Sequence, residues 1–276
     1  MPTPLMNPKA DRVRRLRALA SRKARSEGGQ FLVEGPQAVR ELLLHRAAGV
    51  SELLITPAAL ARYPEIAGAA RTGGVVVREA SPDVIAAISP NAQQVLAVAN
   101  DAALAQPFGP TATADLDLAQ LLAPARLVAV FYEIRDPGNA GTVIRAADAA
   151  GADLVVFAGE CVEIANPKVV RASAGSLFHL PVFAMPDLGA VVVASKAAGL
   201  TVLAADVSGQ TSFDALPARA AWLFGNEARG LPEDALALAD RVVRIPIFGA
   251  AESLNLAMAA TLCLYGSAVG NRAATI

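Results

Sequence analysis

Five short runs in the second half of the chain carry almost nothing but apolar residues. They are RLVAVFYEI (126–134), DLVVFAG (153–159), LTVLAAD (200–206), AAWLFGNE (220–227) and RVVRIPI (241–247). Segments with helical spacing fill the intervals, at about 139–150, 166–178, 187–198, 233–239 and 253–269. A strand that is apolar on both faces needs cover on both faces, so this alternation predicts a parallel sheet between two layers of helices. In open sheets of that kind, ligands bind outside the carboxyl ends of the strands. The loops that leave the strands are therefore where function is to be sought.

A smaller alternation precedes it. FLVEG (31–35), ELLIT (52–56), VVVRE (75–79) and QQVLAVA (93–99) read as strands, with helices at 36–49, 57–72 and 81–89. The helix at 36–49 has Pro at its first position and Gly at its end, the usual asymmetry of helix termini. Residues 9–26 read as one basic helix with Val13, Leu16, Leu19 and Ala20 on one side. Periodicity is lost over 100–120, which carries Pro107 and Pro110. The expected organisation is an N-terminal α/β domain over 1–100, a linker over 101–124 and a larger α/β domain over 125–276.

The chain of 276 residues is long enough for two such domains. It is 54% hydrophobic, yet Asp187, Lys196 and Asp206 interrupt the richest region, so no membrane helix is expected. The first 30 residues lack the apolar core of a secretory signal. Cys161 and Cys263 do not make a disulfide framework, and reduced, packed thiols in a cytoplasmic protein are expected. Two histidines far apart in sequence, His45 and His179, suggest no zinc constellation, and no metal is expected. Net charge is −1, but its distribution is uneven. Eight basic and two acidic residues in 1–30 leave +6 there, and hence −7 over the remainder. A basic block ahead of an acidic body suits a phosphate backbone. A solvated helix face would give the same composition.

Three loops stand out: EIRDPGNAGTVIRAADAAG (133–151), LFGNEARGLPED (223–234) and IPIFGAAESLNLAMAA (245–260). None holds the G-x-G-x-x-G of a dinucleotide site or the G-x-x-x-x-G-K-[ST] of a phosphate loop, which disfavours a dehydrogenase. In order and in strand–helix context, these loops resemble the three motifs of the SpoU/TrmH family of RNA ribose 2′-O-methyltransferases, in the SPOUT superfamily. NPKVVRASAGSLFHLPV (166–182) is also family-like, and the resemblance spans roughly 126–270. The N-terminal half, with FLVEGPQAVREL, is similar to the small RNA-binding domain that many members carry, which resembles certain ribosomal proteins. One departure is Gln93-Gln94, where relatives often have Gly after Gln.

The resemblance implies a C-terminal SPOUT domain with a deep trefoil knot that holds S-adenosylmethionine, and a homodimer with its active site at the subunit interface. It implies a cofactor set of Ala205, Gly225, Asn226, Ile245 and Leu254, and a catalytic set of Asn139, Arg145, Glu227, Ser253 and Asn255. Gly225 then lets the ligand approach backbone, the backbone groups of Ile245 and Leu254 meet the adenine, and Glu227 orders the catalytic loops. Each has a plainer reading. Gly225 is a turn glycine, Asn139 and Ser253 or Glu252 are helix caps, Glu227 caps the helix at LPED, and Arg145 pairs with Asp148. An arginine is effectively always protonated, so Arg145 is either the family's proposed proton acceptor or a clamp on the target phosphate. Arg12, Arg15 and Arg22 of the basic helix, with Lys168 and Arg171, are the expected RNA contacts.

The implied reaction is methyl transfer from S-adenosylmethionine to a ribose 2′-hydroxyl of structured RNA, 23S or another ribosomal RNA, with no metal required. A tRNA 2′-O-methyltransferase and a non-catalytic RNA-binding or ribosome-assembly protein of the same fold are the alternatives.

Overall fold

The computed structural model describes residues 2–105, 117–211, 213 and 216–273, with side chains through 270. The chain begins with α1 (Asp11–Ala18) and α2 (Arg22–Gly28), followed by β1 (Gln30–Glu34), α3 (Pro36–Arg46), β2 (Val50–Ile55), α4 (Pro57–Arg62) and α5 (Pro64–Thr72). Then come β3 (Val77–Glu79), α6 (Pro82–Ile88) and β4 (Val95–Asn100). The second alternation is α7 (Leu118–Leu122), β5 (Leu127–Tyr132), α8 (Pro137–Ala150), β6 (Leu154–Ala158), α9 (Pro167–Ala172), β7 (Val182–Met185), α10 (Leu188–Ala197) and β8 (Thr201–Ala205). It closes with β9 (Ala220–Phe224), α11 (Glu233–Ala237), β10 (Arg241–Val243) and α12 (Leu256–Ala273). No helix among the described residues is long and apolar enough to cross a membrane.

Contacts divide the chain into two compact units, 1–112 with 163–179, and 113–162 with 180–276. The excursion between β6 and β7, read from sequence as part of the second domain, thus belongs to the first unit. Its helix is also shorter than the expected 166–178. It stops at Ala172, and Ala174 and Gly175 then turn at φ of +52° and +105° before a short 3-10 turn at Ser176–Phe178.

The first unit is built on a four-stranded sheet ordered β1-β4-β2-β3. β4 runs antiparallel to both β1 and β2, and only β2 and β3 are parallel. Val13, Leu16 and Leu19 pack with Leu32, Leu54, Leu96 and Val98 of the sheet and Val84, Ile85 and Ile88 of α6. The single basic helix expected over 9–26 is broken. The chain turns after Leu19, and Ser21 caps α2 by accepting from the Ala24 N–H at 3.3 Å. A serine oxygen that satisfies a free N–H at a helix start competes with its inclusion in the preceding helix. Arg12 and Arg15 therefore share α1, and Arg22 belongs to α2.

The second unit is a six-stranded parallel sheet ordered β10-β8-β9-β5-β6-β7; the five apolar runs supply five of the strands, and the edge strand β7 is one that they do not include. One face packs Val128, Val130, Val156, Val202 and Leu223 against Leu188, Val191 and Val192 of α10 and Leu122 of α7. Residues 118–122, read from sequence as linker, are thus a helix in this core. The remaining linker residues 106–116 lie outside the described ones. On the other face, α8 and α12 pack together, α12 against β5 and β9 and α8 against β6. Trp222 is fully buried there and donates from Nε1 to Ser267 Oγ at 2.9 Å, which ties α12 to the sheet.

The three- and four-residue spacing of Leu254, Ala257, Met258 and Leu262 predicts one buried face for α12. In the structure Ala257, Ala260, Cys263, Leu264 and Ser267 face inward, and Met258 and Leu262 are exposed. This helix is apolar nearly all round, so spacing alone allows two core faces. Packing selects the one whose small residues permit close approach to Ala140, Gly141 and Ala147 of α8.

Candidate active site

The carboxyl ends of β8, β9 and β10 open onto a cavity of about 320 Å³, within the range usual for small-molecule sites. Ala205, Asp206 and Val207 leave β8, and Phe224 to Gly230 leave β9. Ile245, Ile247, Ser253, Leu254, Leu256 and Ala259 complete it from the segment between β10 and α12. All five residues of the expected cofactor set, Ala205, Gly225, Asn226, Ile245 and Leu254, are in this lining. The wall combines aliphatic side chains with Asp206, Asn226, Glu227, Arg229 and Ser253. The backbone N–H and C=O groups of Ile245 and Leu254 have no hydrogen-bond partner among the described residues. Unsatisfied backbone groups beside an apolar slot fit a flat heterocycle with polar edges.

Gly225 is required for another reason than the one expected. A Cβ there would stand 2.1 Å from the Gly230 carbonyl carbon and 2.3 Å from the Leu231 nitrogen. The loop after β9 folds back on itself, with Asn226 and Gly230 exchanging backbone hydrogen bonds at 2.9–3.0 Å. A side chain at 225 would break this loop before it met any ligand. Asn226 holds the same loop. Its Oδ1 accepts from Ala228 N–H at 3.0 Å, and its Nδ2 donates to the Glu133 carbonyl at 2.8 Å.

Glu227 joins two loops. Its carboxylate accepts from the backbone N–H groups of Arg135 at 3.2 Å and Asp136 at 2.9 Å, at the entry to α8. It caps neither α11 nor its own loop. Charge-assisted bonds of this kind are stronger than neutral ones, so the loop after β5 is held to the loop after β9. Arg229 adds a 2.7 Å ion pair to Glu133, a non-glycine residue at φ +53°. Strain of that sort persists where the surroundings over-determine it.

The caps fall on residues other than those expected. Asp136 caps α8 by accepting from Asn139 N–H at 2.7 Å, which leaves the Asn139 side chain available. Asn255, rather than Ser253 or Glu252, caps α12, its Oδ1 accepting from Ala257 N–H at 2.9 Å. With its other end, Asn255 Nδ2 donates to Asn139 Oδ1 at 3.2 Å. These two asparagines, 116 residues apart, are thereby joined beside Ser253, which lines the cavity. Arg145 is not in the lining. It is exposed, about 9 Å further along α8 than Asn139, and makes no hydrogen bond or ion pair among the described residues, to Asp148 or otherwise.

The expected RNA contacts differ in their freedom. Arg12 pairs at 2.5 Å with Glu52, a buried carboxylate that Arg78 also engages at 2.6 Å. Arg171 pairs at 2.9 Å with buried Glu34. Arg15, Arg22 and Lys168 are exposed and have no ionic partner among the described residues.

Sequence reasoning missed Asp206, Val207, Ile247, Leu256 and Ala259 of the lining, and the Glu133–Arg229 pair. Asp206 was legible, because it ends an apolar run at the carboxyl edge of the sheet. Arg229 and Glu133 were not, since nothing in their spacing brings them together.

Residues 126–265 match the SpoU rRNA methylase family, and 10–97 match an MRM3-like substrate-binding domain. The 23S rRNA (guanosine(2553)-2′-O)-methyltransferase RlmP of Bacillus subtilis is 31% identical over 262 residues, 93% of this chain and 96% of that one. The 23S rRNA (uridine(2479)-2′-O)-methyltransferase of Streptomyces viridochromogenes is 41% identical over 144 residues, about half of each chain. Among solved structures, an AdoMet-bound rRNA methyltransferase from Sinorhizobium meliloti superimposes with a TM-score of 0.80 at 28% identity, covering 97% of this chain and 98% of that one. The SpoU methyltransferase AviRb from Streptomyces viridochromogenes, in complex with AdoMet, gives 0.77 at 32% identity over 96% and 100%. With sequence and fold in agreement over nearly the whole chain, the protein belongs to the SpoU rRNA methylase family.

Proposed function

We propose that this chain transfers a methyl group from S-adenosylmethionine to a ribose 2′-hydroxyl of ribosomal RNA, in the cytoplasm and as a homodimer. The observation that carries the reading is the convergence of the ends of β8, β9 and β10 on one cavity lined by Ser253, Leu254 and Leu256, with Asn255 of the same segment bonded to Asn139. Bound S-adenosylmethionine supplies a methyl group activated by its sulfonium. Ile245 and Leu254 would hold the adenine through backbone and side chain, and Ala205 and Asp206 line the same cavity from the end of β8. Glu227 keeps the two rim loops in register. Arg145 presents a planar, permanently charged fork without a partner among the described residues, which suits a phosphate of the incoming strand. A guanidinium there lowers the cost of negative charge on the neighbouring 2′-oxygen. The hydroxyl proton leaves to water or to the clamped phosphate. Asn139 and Asn255 orient the ribose.

The dimer reading rests on α12. Met258, Leu262, Tyr265 and Val269 fall on one face at helical spacing and are 63%, 46%, 42% and 63% exposed. A second copy would cover this stripe. We also infer the knot. β10 lies at the sheet edge beyond β8, yet α12 returns to pack on β5 and β9, so the segment between them must cross the loops it helps to line.

The test has two arms. In calorimetry, Leu254→Arg should abolish S-adenosylmethionine binding in a folded protein. In a methylation assay on ribosomal RNA, Arg145→Ala should keep cofactor affinity and lose about 10²–10³-fold in rate, the usual cost of removing one charge-stabilising donor. Unchanged cofactor affinity in the first variant, or a near wild-type rate in the second, would overturn the reading.

A further inference from the structure

We propose that Glu41, His45 and His179 form a binding site for a borderline transition-metal dication, zinc foremost. They are the chain's only two histidines and one carboxylate. Sequence separation hid this cluster, because His45 and His179 stand 134 positions apart. Glu41 and His45 stand one turn apart on α3, and His179 follows the 3-10 turn that ends the excursion between β6 and β7. All three belong to the first unit.

The geometry is that of a ligand set. His179 Nε2 lies 3.1 Å and His45 Nε2 3.6 Å from the same oxygen, Glu41 Oε2. One ligand atom from each of the three residues falls within 4.8 Å of the others. Around zinc, with bonds of about 2.1 Å in tetrahedral array, neighbouring ligand atoms stand about 3.4 Å apart. The observed separations bracket that value. The imidazole rings lie 4.6 Å apart between centroids and are tilted by 58° rather than stacked flat, so two nitrogens can face one ion. Two imidazoles and a carboxylate leave a fourth position, and the site is half-open, with side chains 48%, 29% and 24% exposed for His45, His179 and Glu41, so water can take it.

The surroundings hold these ligands in place. Gly175, at φ +105°, lies so close to Glu41 that a Cβ would stand 2.5 Å from its Cγ. Arg46 Nε donates to the Phe178 carbonyl at 3.3 Å, which fixes the residue before His179 against the end of α3. A bound dication would therefore clip α3 to the end of the excursion that carries Lys168. A clip between residues this far apart in sequence constrains the unfolded chain over a long loop.

The experiment uses tag-free, full-length protein stripped with chelator. Titration with Zn²⁺ should give one bound ion per chain, and Co²⁺ should give the visible absorption of a tetrahedral site. Even outer partners of metal ligands are worth about 10–100-fold in affinity, so His45→Asn and His179→Asn should each weaken binding about tenfold or more. Zn²⁺ should raise the unfolding temperature of the wild type and not that of the double variant. Cys161→Ser should change nothing, since burial pushes that thiol up to about 11 and keeps it protonated. If His179→Asn fails to fold, His45→Asn alone decides, because its side chain is half exposed. Absence of saturable Zn²⁺ binding, or equal affinity in the double variant, would mean that the cluster is only a structural contact between Glu41 and two neighbouring imidazoles.

Discussion

The two units put their most informative polar residues to different uses. In the first, Arg25, Arg12, Arg78 and Arg171 are consumed by the fold. Arg25 is 2% exposed, forks onto Glu163 at 2.6 and 2.9 Å, and also donates to the carbonyls of Leu19 and Ala20. Arg12 and Arg78 share buried Glu52, and Arg171 satisfies buried Glu34. In the second unit, Arg145 and the backbone of Ile245 and Leu254 beside the cavity have no partner among the described residues. Satisfied charges mark architecture here, and unsatisfied ones mark the place where something else must bind.

The strongest way to break this contrast is to remove one arginine of each kind. Arg25→Ala leaves Glu163 and two carbonyls without their donor. Loss of one partner from a buried pair costs roughly 3–5 kcal/mol, which is a large share of a domain's stability. Denaturant unfolding should show that loss for Arg25→Ala and almost none for Arg145→Ala, whose defect should be confined to methyl transfer. Equal stability of the two variants would mean that the Arg25 network is ornamental.

The basic N-terminus sharpens the same distinction within one segment. Its +6 charge reads as a single block in sequence, yet Arg25 is internal and Arg12 is tied to Glu52. Arg15, Arg17 and Arg22 are the exposed arginines without an ionic partner among the described residues. Deleting residues 1–26 would be a poor probe, because it takes Val13, Leu16 and Leu19 out of the core. Replacing the three free arginines by Gln keeps the fold. If each meets a phosphate, RNA affinity should fall and the log–log salt slope should flatten by about 2, at about 0.7–0.9 per contact. Arg12→Gln should change the slope little and stability more. A salt series on both variants checks this, and an unchanged slope in the triple variant would make the segment a solvated face.

What was legible in sequence follows the same line. Five strands of the parallel sheet were readable because they are apolar on both faces, whereas the short edge strand β7 was not read; two of the three loops singled out line the cavity, and the one after β5 does not. Asn139, Glu227 and Asn255 were assigned to the site by resemblance, but their bonds are tertiary. Asn139 and Asn255 meet across 116 residues, and no local pattern encodes that. The break in the N-terminal helix was missed for a related reason. Ser21 acts on Ala24, whereas the apolar spacing of Val13, Leu16, Leu19 and Ala20 says nothing of a cap. Single-face spacing also failed on α12, where alanines rather than Met258 and Leu262 define the buried side.

The smallest expected effect lies at the turn that enters β4. Gln93 and Gln94 both sit in the left-handed region, at φ +49° and +67°. For an L-residue that costs about 1–2 kcal/mol, and glycine removes the cost while adding about 0.5–1 kcal/mol of unfolded-chain entropy. Gln93 is exposed and has no side-chain hydrogen bond among the described residues, so Gln93→Gly should stabilise the first unit by about 0.5 kcal/mol. Gln94 differs because its Oε1 accepts from Thr56 Oγ1 at 2.8 Å, and Thr56 is buried at the end of β2. Losing that bond costs about 1 kcal/mol, so Gln94→Gly should be neutral or slightly destabilising. Paired denaturation curves read the difference between the two variants directly. If Gln94→Gly proves the more stabilising, the Thr56 bond contributes nothing, and relief of strain alone sets the balance at this turn.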